Sequence, residues 1–295
     1  MKLGAALPHS GADASPDGMV AFAHRAEELG LDSLWVLERI LRPVAPAREP
    51  LLPAHSASVY SPLETLAFVA GKTDAIRLGT SVLDALFHVP AALGRQLATV
   101  DRLSNGRLLV GLGQGWSTEE FQTAGVPMSR RGNGFEDFIA ALQATWRQDP
   151  VQYQGRFYQI PPSEVGPKPV QAGGPQILIG TLPGAVAPAQ RAGRLGLGFN
   201  PVILDWDSFT TQLRAYQEAA GAAQGPVVVR VNGPVTAEPL GDGRIPLTGS
   251  VEEVRNDVAR AAELGVDEVF WDHIAANVPH RGLLDALNSI ADLRG

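Results

Sequence analysis

Two stretches of the chain carry the same change of hydrophobic rhythm. In "ELGLDSLWV" (Glu28 to Val36) and "ELGVDEVFW" (Glu263 to Trp271), a helix pattern stops at a glycine. A turn follows at aspartate, and a run of large apolar residues begins. Phe22, Ala26 and Leu29 precede the first stop at helical spacing; Val254, Val258 and Ala261 precede the second. Gly30 and Gly265 sit where a helix takes its left-handed C-terminal cap. Ser250 and Glu253 have the spacing of a capping box. The same helix–glycine–strand logic recurs twice. Pro90 opens a helix carrying Leu93, Leu97 and Val100, which Asn105-Gly106 ends before "RLLVGLG". In "AQRAGRLGLGFNPV", Gly193 or Gly196 is the stop.

The pattern predicts strands near 2–7, 33–37, 77–83, 107–113, 176–180, 196–199, 227–233 and 267–271. Helices fill most gaps, one of them placing Phe135, Phe138, Ile139, Leu142 and Trp146 on a single face. Alternating strands and helices point to a parallel α/β sheet, and eight strands point to closure into a (β/α)8 TIM barrel. An open doubly wound sheet is the alternative. Two proline-rich stretches break the rhythm. Residues 39–63 follow strand two. Residues 148–175, with the hairpin-like "VQYQGRFYQI", form an insertion after strand four, before strand five. Long loops after barrel strands lie on the face where barrel enzymes do their chemistry. The expectation is a single barrel domain over residues 1–295.

Composition narrows the function. The net charge is −7 and no long basic run occurs, which argues against nucleic acid as a partner. Cysteine is absent, so disulfides, thiolate metal sites and a cysteine nucleophile are excluded together. The six histidines show no metal-ligand spacing, and no metal is expected. No apolar run is long enough for a membrane span, and the N-terminus reads as a first strand; a soluble cytoplasmic protein is expected.

The most unusual local feature is "RLLVGLGQGW", Arg107 to Trp116, where Gly111, Gly113 and Gly115 crowd the end of a strand. Glycine weakens a strand, so either another backbone or a ligand comes close there. His9 ends strand one and suits proton transfer. His88 and His273 follow strands three and eight and are weaker candidates. Arg107 begins its strand and reads as structural.

In order and spacing, "SLWVLER" (Ser33 to Arg39), "SPLETLAFVAGKTDAIRLGTSVL" (Ser61 to Leu83), "LATVDRLSNGRLLVGLGQGW" (Leu97 to Trp116) with "EEF" (Glu119 to Phe121), "PQILIGT" (Pro175 to Thr181) and "LTGSVEEV" (Leu247 to Val254) resemble the bacterial luciferase-like oxidoreductases, especially the branch using the deazaflavin F420. The resemblance implies a (β/α)8 barrel, a homodimer, and a flat cofactor over Gly113, Gln114, Gly115 and Trp116. It implies a cis peptide between Ser81 and Val82, after Thr80, behind the ring. In flavin-using relatives an arginine often stands at the Gln114 position and grips the FMN phosphate; a neutral glutamine disfavours FMN. Gly180, Thr181 and Gly184, before a helix, are the implied phosphate site. Arg130 and Arg131 are candidates for the acidic tail of F420. Glu38 and Arg39 stand where relatives carry an acid followed by histidine. Arginine does not shuttle protons near neutral pH, so it is expected to stabilise an anion, leaving acid–base work to Glu38 or His9.

The expected activity is hydride transfer between F420 and a small organic substrate. The alternatives are an FMN-dependent monooxygenase served by a separate flavin reductase, a non-catalytic flavin or deazaflavin binder, and a barrel enzyme for phosphorylated metabolites.

Overall fold

The computed structural model describes residues 1–48 and 52–294. Among these, eight parallel strands close a barrel: β1 (Lys2–Ala6), β2 (Ser33–Val36), β3 (Arg77–Thr80), β4 (Leu108–Gly113), β5 (Gln176–Thr181), β6 (Gly198–Ile203), β7 (Val228–Val231) and β8 (Glu268–Trp271). Each strand pairs with its sequence neighbours. Closure comes from β1 against β8, with Leu3 opposite Val269 and Ala5 opposite Trp271. The open sheet is therefore excluded.

The helices are α1 (Pro16–Glu28), α2 (Pro62–Ala70), α3 (Pro90–Leu103), α4 (Thr118–Ala124), α5 (Asn133–Ala144), α6 (Val186–Arg194), α7 (Trp206–Ala220), α8 (Val251–Glu263) and α9 (Leu283–Ala291). Their apolar stripes pack onto the outside of the sheet, with Phe22, Leu93, Phe138, Phe209 and Val254 all buried. The stop signals act as the pattern predicts. Gly30 and Gly265 have φ of 72° and 90°, and Ser250 and Glu253 form the reciprocal capping box. Of the two glycines near the end of α6, Gly196 takes the positive φ of 63°. Gly193 lets helices meet: a Cβ there would lie 2.5 Å from the Tyr216 carbonyl of α7.

The barrel interior fills with Trp35, Leu109, Leu178, Val228 and Phe270, the Trp35 and Phe270 rings stacking at 4.8 Å. At the base, the buried Glu268 carboxylate receives the Trp35 indole N–H at 3.1 Å and Arg77 at 2.5 Å, so the charge is both paired and hydrogen-bonded. Arg107 is structural, as its position suggests: it donates to the carbonyls of Ala70, Thr73, Ile76 and Ser104 and ties the end of α2 to β4.

Two strands depart from the expectation by more than two residues. Strand six covers Gly198–Ile203 rather than 196–199. Asn200 and Pro201 interrupt the apolar run that marks a strand, yet Thr181 pairs opposite Pro201 in the closed sheet. Strand three ends at Thr80 instead of running to residue 83, because the chain turns out of register at the next peptide. The insertion is where the pattern put it. Val151–Gln154 and Gln159–Ser163 form an antiparallel hairpin, pinned to α5 by Asp137, which accepts from the Phe157 amide and the Tyr153 hydroxyl, both at 2.5 Å. From the expected loop 39–63, Leu52, Pro53, His55, Ser56 and Val59 line the barrel mouth and the last two residues open α2, while Glu49, Pro50 and Leu51 lie outside the described residues. No described helix is long and apolar enough to cross a membrane.

Candidate functional site

The site begins where β3 breaks. The Ser81–Val82 peptide is cis. Four hydrogen bonds from three neighbouring strands and the loop after β2 hold it. The Ser81 amide donates to Val36 O at 2.7 Å, and its hydroxyl to Asn200 Oδ1 at 2.7 Å. Arg230 donates to the Ser81 carbonyl at 2.7 Å, and the Glu38 amide to the Val82 carbonyl at 3.1 Å. The chain then resumes as a two-residue strand, Leu83–Asp84, beside Leu112 and Gly113 of β4.

This bulge corrects the reading of the glycine run. A Cβ on Gly113 would lie 2.5 Å from Val82 Cγ2; one on Gly180 would lie 2.4 Å from Val82 Cγ1; one on Gly111 would lie 2.0 Å from the Thr80 carbonyl. Those three glycines clear space for the protein's own bulge. Gly115 has φ of 71°, and a Cβ there would press on Phe87 and Phe121. The close approach is made by the chain itself.

Above the bulge, at the C-terminal end of the barrel, opens a cavity of about 390 Å³. Its wall takes in Glu38 and Arg39 after β2, Ser81 and Val82 of the bulge, and Gly113, Gln114, Gly115 and Trp116 after β4. Gly180 and Thr181 of β5 and Arg131 also line it. Three expected residues are elsewhere. Thr80 is buried and bridges β3 to β4, its hydroxyl donating to Gly111 O and accepting from Gly111 N, both at 2.9 Å. Gly184 only turns the chain before α6, with φ of 73°. His9 is 2% exposed and stops short of this cavity. Its Nδ1 lies 2.8 Å from Leu7 O, while the Leu37 amide donates to Nε2 at 3.1 Å. Both ring nitrogens are thus committed to backbone in the neutral form, and burial lowers the pKa. His9 has no free nitrogen to offer a substrate.

Arg39 is tied down. It donates to Glu120 of α4 at 2.7 Å, and the fully buried Glu120 also accepts from the Ile40 amide at 2.9 Å. Arg39 and Arg48 each lie 4.9 Å from the Trp116 ring centroid, so the indole carries two cation–π contacts. Gln114 is equally engaged: its carbonyl accepts from the Gly132 amide at 2.7 Å and anchors the loop before α5.

Among the wall residues that the sequence reading missed are Asp84, Arg230, Asn200 and His55. Asp84 is the most unusual chemically. It is 6% exposed, and burial, then the charges of Glu38 and Glu120, push its carboxyl up to about 7. An acid inside the apolar run "SVLDALF" was the available signal. Glu38 accepts the Asp84 amide at 2.7 Å and faces His88 Nε2 at 2.9 Å. Burial alone would lower the His88 pKa, but the hydrogen bond and charge of Glu38 outweigh it and raise it. Arg230 pairs with Asp272 at 2.6 Å, which holds that buried carboxyl below its usual range despite desolvation. His273 stands outside the cavity wall; burial lowers its pKa to about 4, and its Nε2 has no partner among the described residues. The described residues contain no His, Asp and Glu cluster arranged for a metal ion.

The other side of the cavity has anion-binding character. The wall there is made by Leu182, Ala185 and Pro188 at the start of α6, together with Arg131. Gln212 fixes this turn by donating to the carbonyls of Leu182 and Ala185 at 2.8 and 3.0 Å. No side chain caps α6, so the amides of Val186 and Ala187 keep their hydrogen-bonding capacity, while Pro188 has none to give. Arg130 points away and stacks on Phe157, 4.2 Å from the ring centroid. A ring cofactor with an anionic tail fits this donor set: Val82 and Trp116 give apolar surface, and Arg131 with the α6 amides gives the pole for negative charge. The volume lies in the range of small-molecule sites.

A closed (β/α)8 barrel with its cavity at the C-terminal mouth and a clamped non-proline cis peptide defines a class of enzyme scaffold. The chain belongs to the luciferase-like monooxygenase family, whose model matches residues 1–239. It is 33% identical over 227 residues to an uncharacterized protein of Mycobacterium tuberculosis, covering 76% of this chain and 72% of that one. It is 32% identical over 195 residues to an F420-dependent glucose-6-phosphate dehydrogenase of Amycolatopsis mediterranei, covering 62% of this chain and 53% of that one. Among solved structures, a monooxygenase of Streptomyces bottropensis superposes with a TM-score of 0.81 at 23% identity, covering 99% of this chain and 98% of that one. The family's members are oxidoreductases and monooxygenases, and relatives bind F420 or FMN.

Proposed function

We propose that this protein is an F420-dependent oxidoreductase acting on a small organic substrate at the alcohol or carbonyl level. The observation that carries the reading is Asp84, a buried carboxyl group in the cavity wall held near neutrality. Interconverting an alcohol and a carbonyl compound moves one hydride and one proton, and a group with this proton affinity serves either direction. The deazaflavin, when bound, supplies or accepts the hydride. The chain supplies the rest. Arg230, Asn200 and the Glu38 amide fix the bulge that backs the cavity. Trp116, in cation–π contact with Arg39 and Arg48, walls it. Asp84 takes the proton from a substrate hydroxyl, or returns it to a carbonyl oxygen. Arg39, neutralised by Glu120, contributes position rather than proton transfer.

The neutral Gln114 supports F420 over FMN, because its carbonyl is spent on the Gly132 amide and the residue offers no charge to a phosphate. The dehydrogenase activity in the name of the Amycolatopsis relative agrees. The test is equilibrium titration of the purified protein with F420 and with FMN, read by fluorescence. Micromolar or tighter F420 binding with FMN at least tenfold weaker is expected. Preference for FMN would replace this reading with that of an oxygen-dependent monooxygenase served by a flavin reductase.

A further inference from the structure

We propose that His88 is a positioning residue for Asp84: from outside the cavity it holds and compensates the Glu38 carboxylate, which in turn sets the readiness of Asp84 to exchange a proton. The inference deepens the oxidoreductase reading and rests on it for the use made of that proton.

The geometry runs in one direction, from cavity to surface. Asp84 is 6% exposed and lines the cavity. The Glu38 side chain is 13% exposed and also lines it. The His88 side chain is 25% exposed and does not. Glu38 joins the two. Its Oε2 accepts the Asp84 amide at 2.7 Å, and both its oxygens meet His88 Nε2, at 2.9 and 3.0 Å. The backbone enforces the arrangement. Asp84 ends the short strand after the bulge, a single 3-10 turn (Ala85–Phe87) follows, and the His88 amide closes it on Ala85 O at 3.1 Å. Four residues therefore carry the chain from the cavity wall to the imidazole on the far side of Glu38.

Such an arrangement couples the proton affinity of Asp84 to the charge on His88. The Asp84 carboxyl faces Glu38 and Arg39 from the end of β2, Glu120 from α4, and the Gly115 amide from the end of β4. His88 faces Glu38, Asp84 and Glu64 of α2. With imidazolium beside it, Glu38 presents Asp84 with a compensated charge; with neutral imidazole, the full carboxylate charge disfavours ionisation of Asp84. Protonation of His88 therefore eases loss of the Asp84 proton. A merely structural His88 would hold the turn before α3 without moving the titration of Asp84.

The experiment is a pH titration of the carboxyl carbons by NMR, on the cofactor-free protein labelled in aspartate, with Asp84→Asn assigning the resonance. Glu38→Gln is expected to lower the Asp84 midpoint. His88→Gln is expected to raise it by about one pH unit, tenfold in proton affinity. His88→Arg, which keeps a fixed positive charge, is expected to bring it back. The pH profile of F420-linked turnover should move the same way. An Asp84 midpoint unmoved by His88→Gln overturns the proposal, whatever Glu38→Gln does. Should His88→Gln not fold, Glu38→Gln and His88→Arg decide the matter. Coupling seen by NMR without F420-linked turnover leaves the linkage standing and removes the oxidoreductase reading instead.

Discussion

At Gly113, a methyl group would stand 2.5 Å from Val82 Cγ2 and 3.1 Å from Asp84 Oδ1. Crowding of this kind in a close-packed interior costs about 1–3 kcal/mol. Gly113→Ala is therefore expected to destabilise the protein by that amount in urea denaturation. Val82→Ala removes the atoms that the new methyl would meet. The double variant should accordingly lose clearly less than the sum of the two single losses. Strict additivity would return the glycine to its other reading, as a gap kept for the ligand. Two meanings of one glycine are separated here by a single neighbour.

The elements around the mouth are joined by charge. Helix α4 is only seven residues long, yet it carries Glu120 fully buried against Arg39 and the Ile40 amide. Beside it Glu119 holds Arg48 at 3.1 Å, so both arginines that flank Trp116 are fixed from the same helix. Burying an ion pair gives little net stability, but removing one partner strands the other. Glu120→Ala is expected to cost about 3 kcal/mol by chemical denaturation. It should also loosen the loop after β2, read as faster amide exchange at Ile40. A loss below about 1 kcal/mol would mean that water already compensates Arg39, as at an exposed pair.

Over the whole molecule, buried histidines shape the response to acid. His273 is 2% exposed, and its pKa falls to about 4. In the unfolded chain the same group titrates near 6.5. As pH falls below that value the unfolded chain binds a proton that the folded one refuses, so stability is lost down to about pH 4. The shift corresponds to about 3 kcal/mol. Asp84 works in the opposite sense: its raised carboxyl contributes stability that is full below about pH 4 and is lost as pH rises through about 7. His273→Gln is expected to flatten the acid limb, narrowing the stability difference between pH 7 and pH 4.5 measured in urea. An unchanged difference would assign that limb to other groups. Closure is also a property of the whole: the family match ends at residue 239, while β8, at Glu268–Trp271, joins β7 to β1.

The amino-acid pattern determined the elements and their order. Helical spacing, stops at Gly30, Gly106 and Gly265, and eight apolar runs are local signals, each set by the conformations its own residues allow. The strand carrying Asn200 and Pro201 was the least legible, because its place depends on neighbours on both sides. The motifs also marked part of the cavity wall, between Glu38 and Thr181. Only the tertiary structure decided what those residues do there. Whether His9 has a free nitrogen depends on two carbonyls and an amide at its side, and whether Arg39 is available depends on Glu120, 81 positions further along. Asp84 was invisible as chemistry. A carboxyl group acquires unusual proton affinity from burial and from the charges that folding brings to it, and neither is a property of the residue alone.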